Sequence, residues 1–270
     1  MSDPSYDDLL TLARDTATAT AELIRSFRAA GVEVADTKSS DVDIVTEADR
    51  AAERLIHERL MSARPDDGFF GEEGGRTAST SGVTWVVDPI DGTVNFLYDI
   101  PHYAVSIAAQ VDDVVVAGVV LNASSGECFA ATLGGGATCD GRPVTVRQPV
   151  PVRERLVATG FNYVSEVRAV QAAAVAELLT QVRDVRRLGS AALDLCSVAA
   201  GRVDGYVEEG LNPWDMAAGA LVATEAGARV ETGVGRGGTT LVTCAPTDWF
   251  AEFASLVEAC GFAAGTAGNT

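Results

Sequence analysis

"WVVDPIDGTVNF", residues 85 to 96, begins as an apolar run that reads as a buried strand and ends that run on a carboxylate, Asp88. Pro89 and Ile90 follow, then a second acid, Asp91, then Gly92-Thr93. Buried carboxylates are costly unless they are paired, hydrogen-bonded or bound to metal. A strand that carries two of them to the edge of a sheet therefore predicts a site. Pro89-Ile90 is expected to bend the chain so that Asp91 faces the same point as Asp88, with the Ile90 carbonyl turned inward as a neutral ligand. Gly92-Thr93 is expected to open a helix whose free N–H groups receive an anion.

Three other segments set carboxylates beside apolar runs and turns: "DVDIVTEAD" with Asp43 and Asp49, "FFGEEGG" with Glu72 and Glu73, and "NPWDMAAG" with Asp215. Each has an ordinary explanation when taken alone. Glu72-Glu73 reads as a solvated turn. Asp49 lies three residues after Thr46, as the acid of a capping box does, and Asp215 occupies the same place after Asn212 and Pro213. The combination is what carries weight. Lysine and arginine are rare near these acids, and no His or Cys stands among them. An oxygen-only donor set points to a hard cation such as Mg²⁺. Cations held by carboxylates beside a helix start suit a phosphate ester, whose oxygens they polarise while they acidify a water.

The rest of the composition narrows the class. The chain has 270 residues, net charge −18 and a single lysine, Lys38. Such a field repels nucleic acid and anionic lipid, so neither is expected as a partner. No apolar run approaches the roughly 18 residues of a membrane span, and "MSDPSYDDLL" lacks the basic start of a signal peptide, which predicts a cytoplasmic protein. Five scattered cysteines with no CxxC pair predict reduced thiols, not a disulfide framework or zinc site.

Apolar positions at helical spacing predict a helix over 6–30, stopped at Gly31, and a second from Thr46 to Arg64. "TWVVD", "AVSIAAQV" and "VVVAGVVL" read as strands, the last two joined as a hairpin at Asp112-Asp113. "SGECFAAT" and "RPVTV" extend an antiparallel sheet. After Pro149 and Pro151 strands and helices alternate. Strands are expected at "RLVATG", "RDVRRL", "DGYVE", "ARVE" and "TLVTC", and helices at 166–182, 190–200, 213–226 and 247–260. This predicts layered α and β structure in two halves, 1–150 and 151–270, the first carrying most of the acids and the second contributing Asp215 and a substrate pocket.

These residues resemble the inositol monophosphatase family, within the lithium-sensitive, magnesium-dependent phosphatases. The likeness runs from "TKSSDVDIVTEAD" through "GEE" and "WVVDPIDGTVNF" to "GSAALDLCSVAAGRVDGYVEEGLNPWDMAAGALVATEAGA". The pair "DPIDGT" and "WDMAAG" is highly specific. The resemblance implies an αβαβα sandwich, commonly a homodimer, that hydrolyses a phosphomonoester with two to three Mg²⁺ ions. Mn²⁺ is the expected substitute and Li⁺ the expected inhibitor. It further implies that Glu72, Asp88 and the Ile90 carbonyl hold the first ion and Asp88, Asp91 and Asp215 the second. A third, weaker ion shares Glu72. Thr93 and Asp49 would orient and deprotonate the attacking water, with no phosphoenzyme, and the Gly92 and Thr93 N–H groups would hold the phosphate. Lys38 matches a lysine that the family keeps near the metals.

For the substrate, Glu208 matches the family's acceptor of polyol hydroxyls, and Ser190 and Ala191 of "LGSAALD" match the sugar side of the pocket. Together with Asp91, Gly92, Thr93 and Asp215 they form the expected substrate-binding set. The segment has the form seen in phosphatases of myo-inositol monophosphate. A histidinol-phosphate or sugar (bis)phosphate phosphatase, and a regulatory partner-binding protein that retains the fold, are the alternatives. A bisphosphate would call on Arg183, Arg186 or Arg187. Glu209 is expected to face away from Glu208 toward the surface, and His57 and His102 to be structural. Gly74 departs from the family, where Ser or Thr is common, and removes a hydroxyl behind the site.

Overall fold

The computed structural model describes residues 5–31, 34–37 and 44–264; Lys38 and Asp43 lie outside them. Helix α1, Tyr6–Ala30, starts on Ser5, whose side chain accepts the Asp8 N–H, and ends at Gly31 with φ +99°. A two-stranded ribbon, β1 Val34–Thr37 and β2 Ile44–Thr46, leads into α2, Glu47–Ala63. The next strands are β3 Gly68–Gly71, β4 Gly75–Thr77 and β5 Val83–Asp91, and then comes a short helix, α3 Thr93–Leu97. Strands β6 Ala104–Val111, β7 Val114–Asn122, β8 Cys128–Thr132, β9 Gly136–Cys139 and β10 Arg142–Pro143 complete an eight-stranded sheet in the order β10-β9-β8-β7-β6-β5-β3-β4. All its pairings are antiparallel except that of β3 with β5. The β6–β7 hairpin turns at Asp112 and Asp113, both at positive φ, as a two-residue turn matching the strand twist demands.

The second half contributes β11 Leu156–Thr159, α4 Ser165–Leu179, β12 Asp184–Arg186, α5 Ala191–Ala199, β13 Gly205–Glu209, α6 Pro213–Glu225, β14 Ala228–Val234, β15 Thr240–Pro246 and α7 Phe250–Ala259. Its sheet runs β12-β11-β13-β15-β14, parallel over the first three strands and antiparallel over the rest. The expected "RPVTV" strand contracts to Arg142–Pro143, and "RDVRRL" to Asp184–Arg186. The last helix begins at Phe250 after a 3₁₀ turn over Thr247–Trp249.

Alternation along the strands explains the layers. Trp85 and Val87 face α1 and α2 in one core with Leu9, Ile24, Ile56 and Leu60. Val86, between them, faces the opposite way, into a core with α5, α6, Ala158 and Tyr206. Val157 and Val207 point beyond the second sheet to Leu178 of α4 and Phe253 of α7. Helices, sheet, helices, sheet, helices: the chain is the expected αβαβα sandwich. In its middle layer α5 and α6 touch closely. A Cβ built on Gly219 would lie 3.0 Å from both the Ala192 carbonyl oxygen and the Leu195 Cβ, so a larger residue here would have to push these neighbours back by a few tenths of an ångström. Asp67 fastens the outer layer from a buried position: it accepts the Trp85 indole N–H at 2.9 Å and the Ser81 hydroxyl at 2.6 Å, and pairs with Arg64.

Candidate active site

Strand β5 does not leave the sheet at Asp88. It continues to Asp91, and the register with β6 slips between these two residues, a bulge with Pro89-Ile90 inside it. A bulge inserts residues that re-aim side chains, so both carboxylates reach one cavity of about 240 Å³. The Asp88 carboxylate accepts the Ile90 N–H at 3.0 Å within the bulge. Gly92 then takes φ +99° and passes 3.0 Å from the Gly189 carbonyl and 3.1 Å from that of His102, measured to a built Cβ. Both the backbone conformation and the space require glycine. The helix that follows has five residues, so its dipole is weak.

Glu72 and Asp215, each partly exposed, reach the same cavity, as do Ile90, Gly92, Thr93, Ser190, Ala191 and Glu208. Glu72 stands on the turn after β3, where its N–H meets the Val87 carbonyl of β5. Asp215 occupies the third position of α6 and accepts the Asn212 N–H at 2.6 Å, the capping box read in the sequence. Asp49 occupies the third position of α2 and is fully buried, accepting from Thr46 N at 2.7 Å and Thr46 Oγ1 at 2.5 Å. It does not line the cavity. Its other oxygen accepts the Thr93 hydroxyl at 3.1 Å, which places it one hydrogen bond behind the wall.

Asp91 crosses to the second half of the chain. It accepts Ser190 Oγ at 2.6 Å, Ala192 N at 2.7 Å and Ala191 N at 3.3 Å, at the start of α5. Ser190 thus serves first to hold Asp91 and to cap α5, through the Leu193 N–H. Burial raises the Asp91 pKa to about 6 against these hydrogen bonds and the Arg187 charge, which lower it. Burial likewise raises Asp215, helped by the negative charges of Asp91 and Glu72. Glu208 is pushed up to about 7 by burial, although the Tyr206 hydroxyl donates to it at 2.7 Å. A Cβ on Gly160 would strike the Glu208 carboxylate, which explains the glycine after β11.

Glu209 corrects the sequence reading. It does face away from Glu208, but it is buried at 2% exposure and accepts Thr239 N and Thr239 Oγ1, each at 3.1 Å. A strand inside a covered sheet has no surface face. His57 stacks edge-on against Phe69, and burial lowers the pKa of His102. The stretch Gly160–Tyr163 and the Leu211-Asn212 pair also line the cavity and were not read as site residues; a glycine closing the "RLVATG" strand was the available signal.

No three described His, Cys, Asp or Glu side chains stand close enough, as placed, to enclose an ion. Asp88, Asp91 and Asp215 line the cavity and are each held by a backbone N–H. The chemistry of the set still fits a hard cation. It offers only oxygen, its members repel one another, and Arg187 is the one Arg or Lys among the described lining residues.

A family model described as the inositol monophosphatase family matches residues 5–261. The Mycobacterium tuberculosis protein named inositol-1-monophosphatase SuhB is 49% identical over 225 residues, 80% of this chain and 78% of its own. A Pasteurella multocida protein named Nus factor SuhB is 41% identical over 196 residues, 72% and 73% of the two chains. The crystal structure of extragenic suppressor protein SuhB from Bartonella henselae superposes with TM-score 0.85 at 32% identity, over 93% of this chain and 98% of that one. Among the described residues no helix is long and apolar enough to cross a membrane. With this sequence match over nearly its whole length and this sandwich around one acidic cavity, the chain belongs to the inositol monophosphatase family and is a phosphatase.

Proposed function

We propose that the protein is a Mg²⁺-dependent phosphomonoesterase that hydrolyses myo-inositol monophosphate. The observation that carries this is the sharing of one cavity by Glu72, Asp88, Asp91 and Asp215, with Thr93 on its wall and Asp49 behind it. Glu72, Asp88 and the Ile90 carbonyl would hold one ion, Asp88, Asp91 and Asp215 a second, and Glu72 a share of a third. Bound there, such ions neutralise phosphate oxygens and acidify a water. Thr93 Oγ1 would orient a water and relay its proton to Asp49, whose carboxylate is held in place by the Thr46 N–H and hydroxyl. The Gly92 and Thr93 N–H groups take the phosphate, and Glu208 reads a hydroxyl of the polyol, next to Ser190 and Ala191. The same reading has the half 1–150 supply most metal ligands and the half 151–270 supply Asp215 and the substrate pocket, in a cytoplasmic homodimer.

The bisphosphate alternative loses two of its three arginines: Arg183 pairs with Glu154 at 3.8 Å and Arg186 with Asp184 at 2.6 Å, and neither lines the cavity. The Nus factor name of the Pasteurella relative favours a second reading, a protein-binding role beside or instead of turnover. Phosphate release decides between them. Purified protein is assayed on inositol 1-phosphate, histidinol phosphate and fructose 1,6-bisphosphate, with Mg²⁺, with EDTA and with added Li⁺. Mg²⁺-dependent release that is fastest from inositol 1-phosphate supports the proposal. A faster rate on another ester replaces the substrate, and no release from any ester moves the assignment to partner binding.

A further inference from the structure

Glu53 lies one helical turn beyond Asp49 on α2, on the same face. It is 6% exposed, an expensive place for an acid with no catalytic task assigned to it. Its carboxylate points at the turn that carries Glu72. Oε2 accepts the Glu73 N–H at 2.8 Å. On one side a Cβ at Gly71 would overlap the same carboxylate, and at Gly74 a Cβ would come within 2.6 Å of Oε1. Neither glycine has a positive φ, so the backbone does not demand them. What they leave is room for Glu53 and, at Gly71, for the Phe69 ring as well. The absence of a hydroxyl at Gly74 thus has a physical reason: the space belongs to a carboxylate from the next helix.

We propose that Glu53 is a positioning residue for the metal site, acting through the Gly71–Gly74 turn to fix Glu72. The assignment rests on the metal-dependent reading above. The main-chain hold on this turn is weak at Glu72, whose N–H reaches the Val87 carbonyl at 3.3 Å. A charge-assisted bond to the neighbouring N–H is stronger. Because Asp49 and Glu53 share one helix, α2 sets both the proton acceptor behind Thr93 and the carboxylate of Glu72 on the wall. A shift of α2 would then move both together.

The test compares full-length Glu53→Gln, Glu53→Ala and Gly74→Ala with wild type, using Mn²⁺ alone as the probe in calorimetry and the melting temperature of EDTA-treated protein. Asp67→Ala serves as a control that loosens the fold away from the cavity. Glu53→Ala is expected to weaken Mn²⁺ binding by about ten-fold or more, the usual effect of removing a partner behind a metal ligand. Glu53→Gln keeps an oxygen for the Glu73 N–H and should stay within about three-fold of wild type. Gly74→Ala leaves Glu53 in the chain but pushes on its Oε1, and should weaken Mn²⁺ as Glu53→Ala does even if that variant fails to fold. Unchanged Mn²⁺ affinity in Gly74→Ala and in folded Glu53→Ala, with only the melting temperature lowered, overturns the proposal. Equal weakening in Asp67→Ala overturns it as well. Wild type that binds no Mn²⁺, or binds it equally after Glu72→Gln, sinks the metal reading itself and is told apart from failure at Glu53.

Discussion

The Asp91 carboxylate at the end of β5 accepts the backbone N–H of Ala192 at 2.7 Å, a residue 101 positions later in the chain. One acid therefore lines the cavity and anchors the first turn of α5. Asp91→Asn keeps an acceptor for that N–H but removes the charge. Turnover is expected to fall by on the order of a hundredfold or more, since even partners behind a metal ligand cost that much at the upper end. Phosphate release at saturating Mg²⁺ checks it, and circular dichroism should show the fold intact.

On the proposed reading, Glu208 would separate polyol recognition from the chemistry. Glu208→Gln is expected to raise KM for inositol 1-phosphate roughly 10- to 100-fold, the worth of a hydrogen bond to a charged group, while kcat/KM for 4-nitrophenyl phosphate stays near wild type. Burial holds Glu208 up at about 7. The ionised acceptor therefore forms as pH rises through 7, and the preference for the polyol ester should grow between pH 6 and 8. A preference that is flat with pH in wild type would remove Glu208 from the pocket's reading of hydroxyls.

Asp194 in the first turns of α5 is 1% exposed, and neither carboxylate oxygen has a hydrogen-bond partner among the described residues. Burial first, then repulsion from Glu208 and Asp91, raises its pKa well above 3.8. The sign follows from linkage: the folded protein holds this proton more tightly than the unfolded chain, so stability is lost as pH rises from about 4 through the raised value. Asp194→Asn removes that loss. Urea unfolding in EDTA should find the variant more stable than wild type at pH 8 and the gap smaller at pH 5. An equal gap at both pH values would show that Asp194 does not titrate in this range.

Asp67→Ala strips partners from Trp85, Ser81 and Arg64 together. A cost of about 3 kcal/mol is expected, because a buried indole N–H and an arginine lose a charged acceptor at once. Denaturant midpoints measure it, and kcat below the transition should not change.

Much of this was legible in the sequence because the relevant signals are local. The caps of α2 and α6 are written in Thr46–Asp49 and Asn212–Asp215, and the bulged carboxylates in a single run, Asp88–Asp91. What could not be read depends on distant layers. Glu209 alternates with Glu208 as a strand requires, yet the loop around Thr239 covers the face it was expected to expose. Glu53 carries no sign of its neighbour twenty residues on, since only the packing of α2 against β3 and its turn brings Glu73 to it. The larger sheet ends at Pro143 and the smaller begins at Leu156, and Asp91 on Ala192 joins elements from both sides of that change inside the cavity itself.

Gly219 has no side chain and does not line the cavity, yet it lies four residues beyond Asp215 and against the carbonyl of Ala192. Adding one methyl there would press by a few tenths of an ångström on the contact between the two helices that aim Asp215 and seat Asp91. A screen of random variants scored on turnover should therefore return this interior glycine beside the acids. Inherited changes at it would look harmless to any survey that scores only chemical groups.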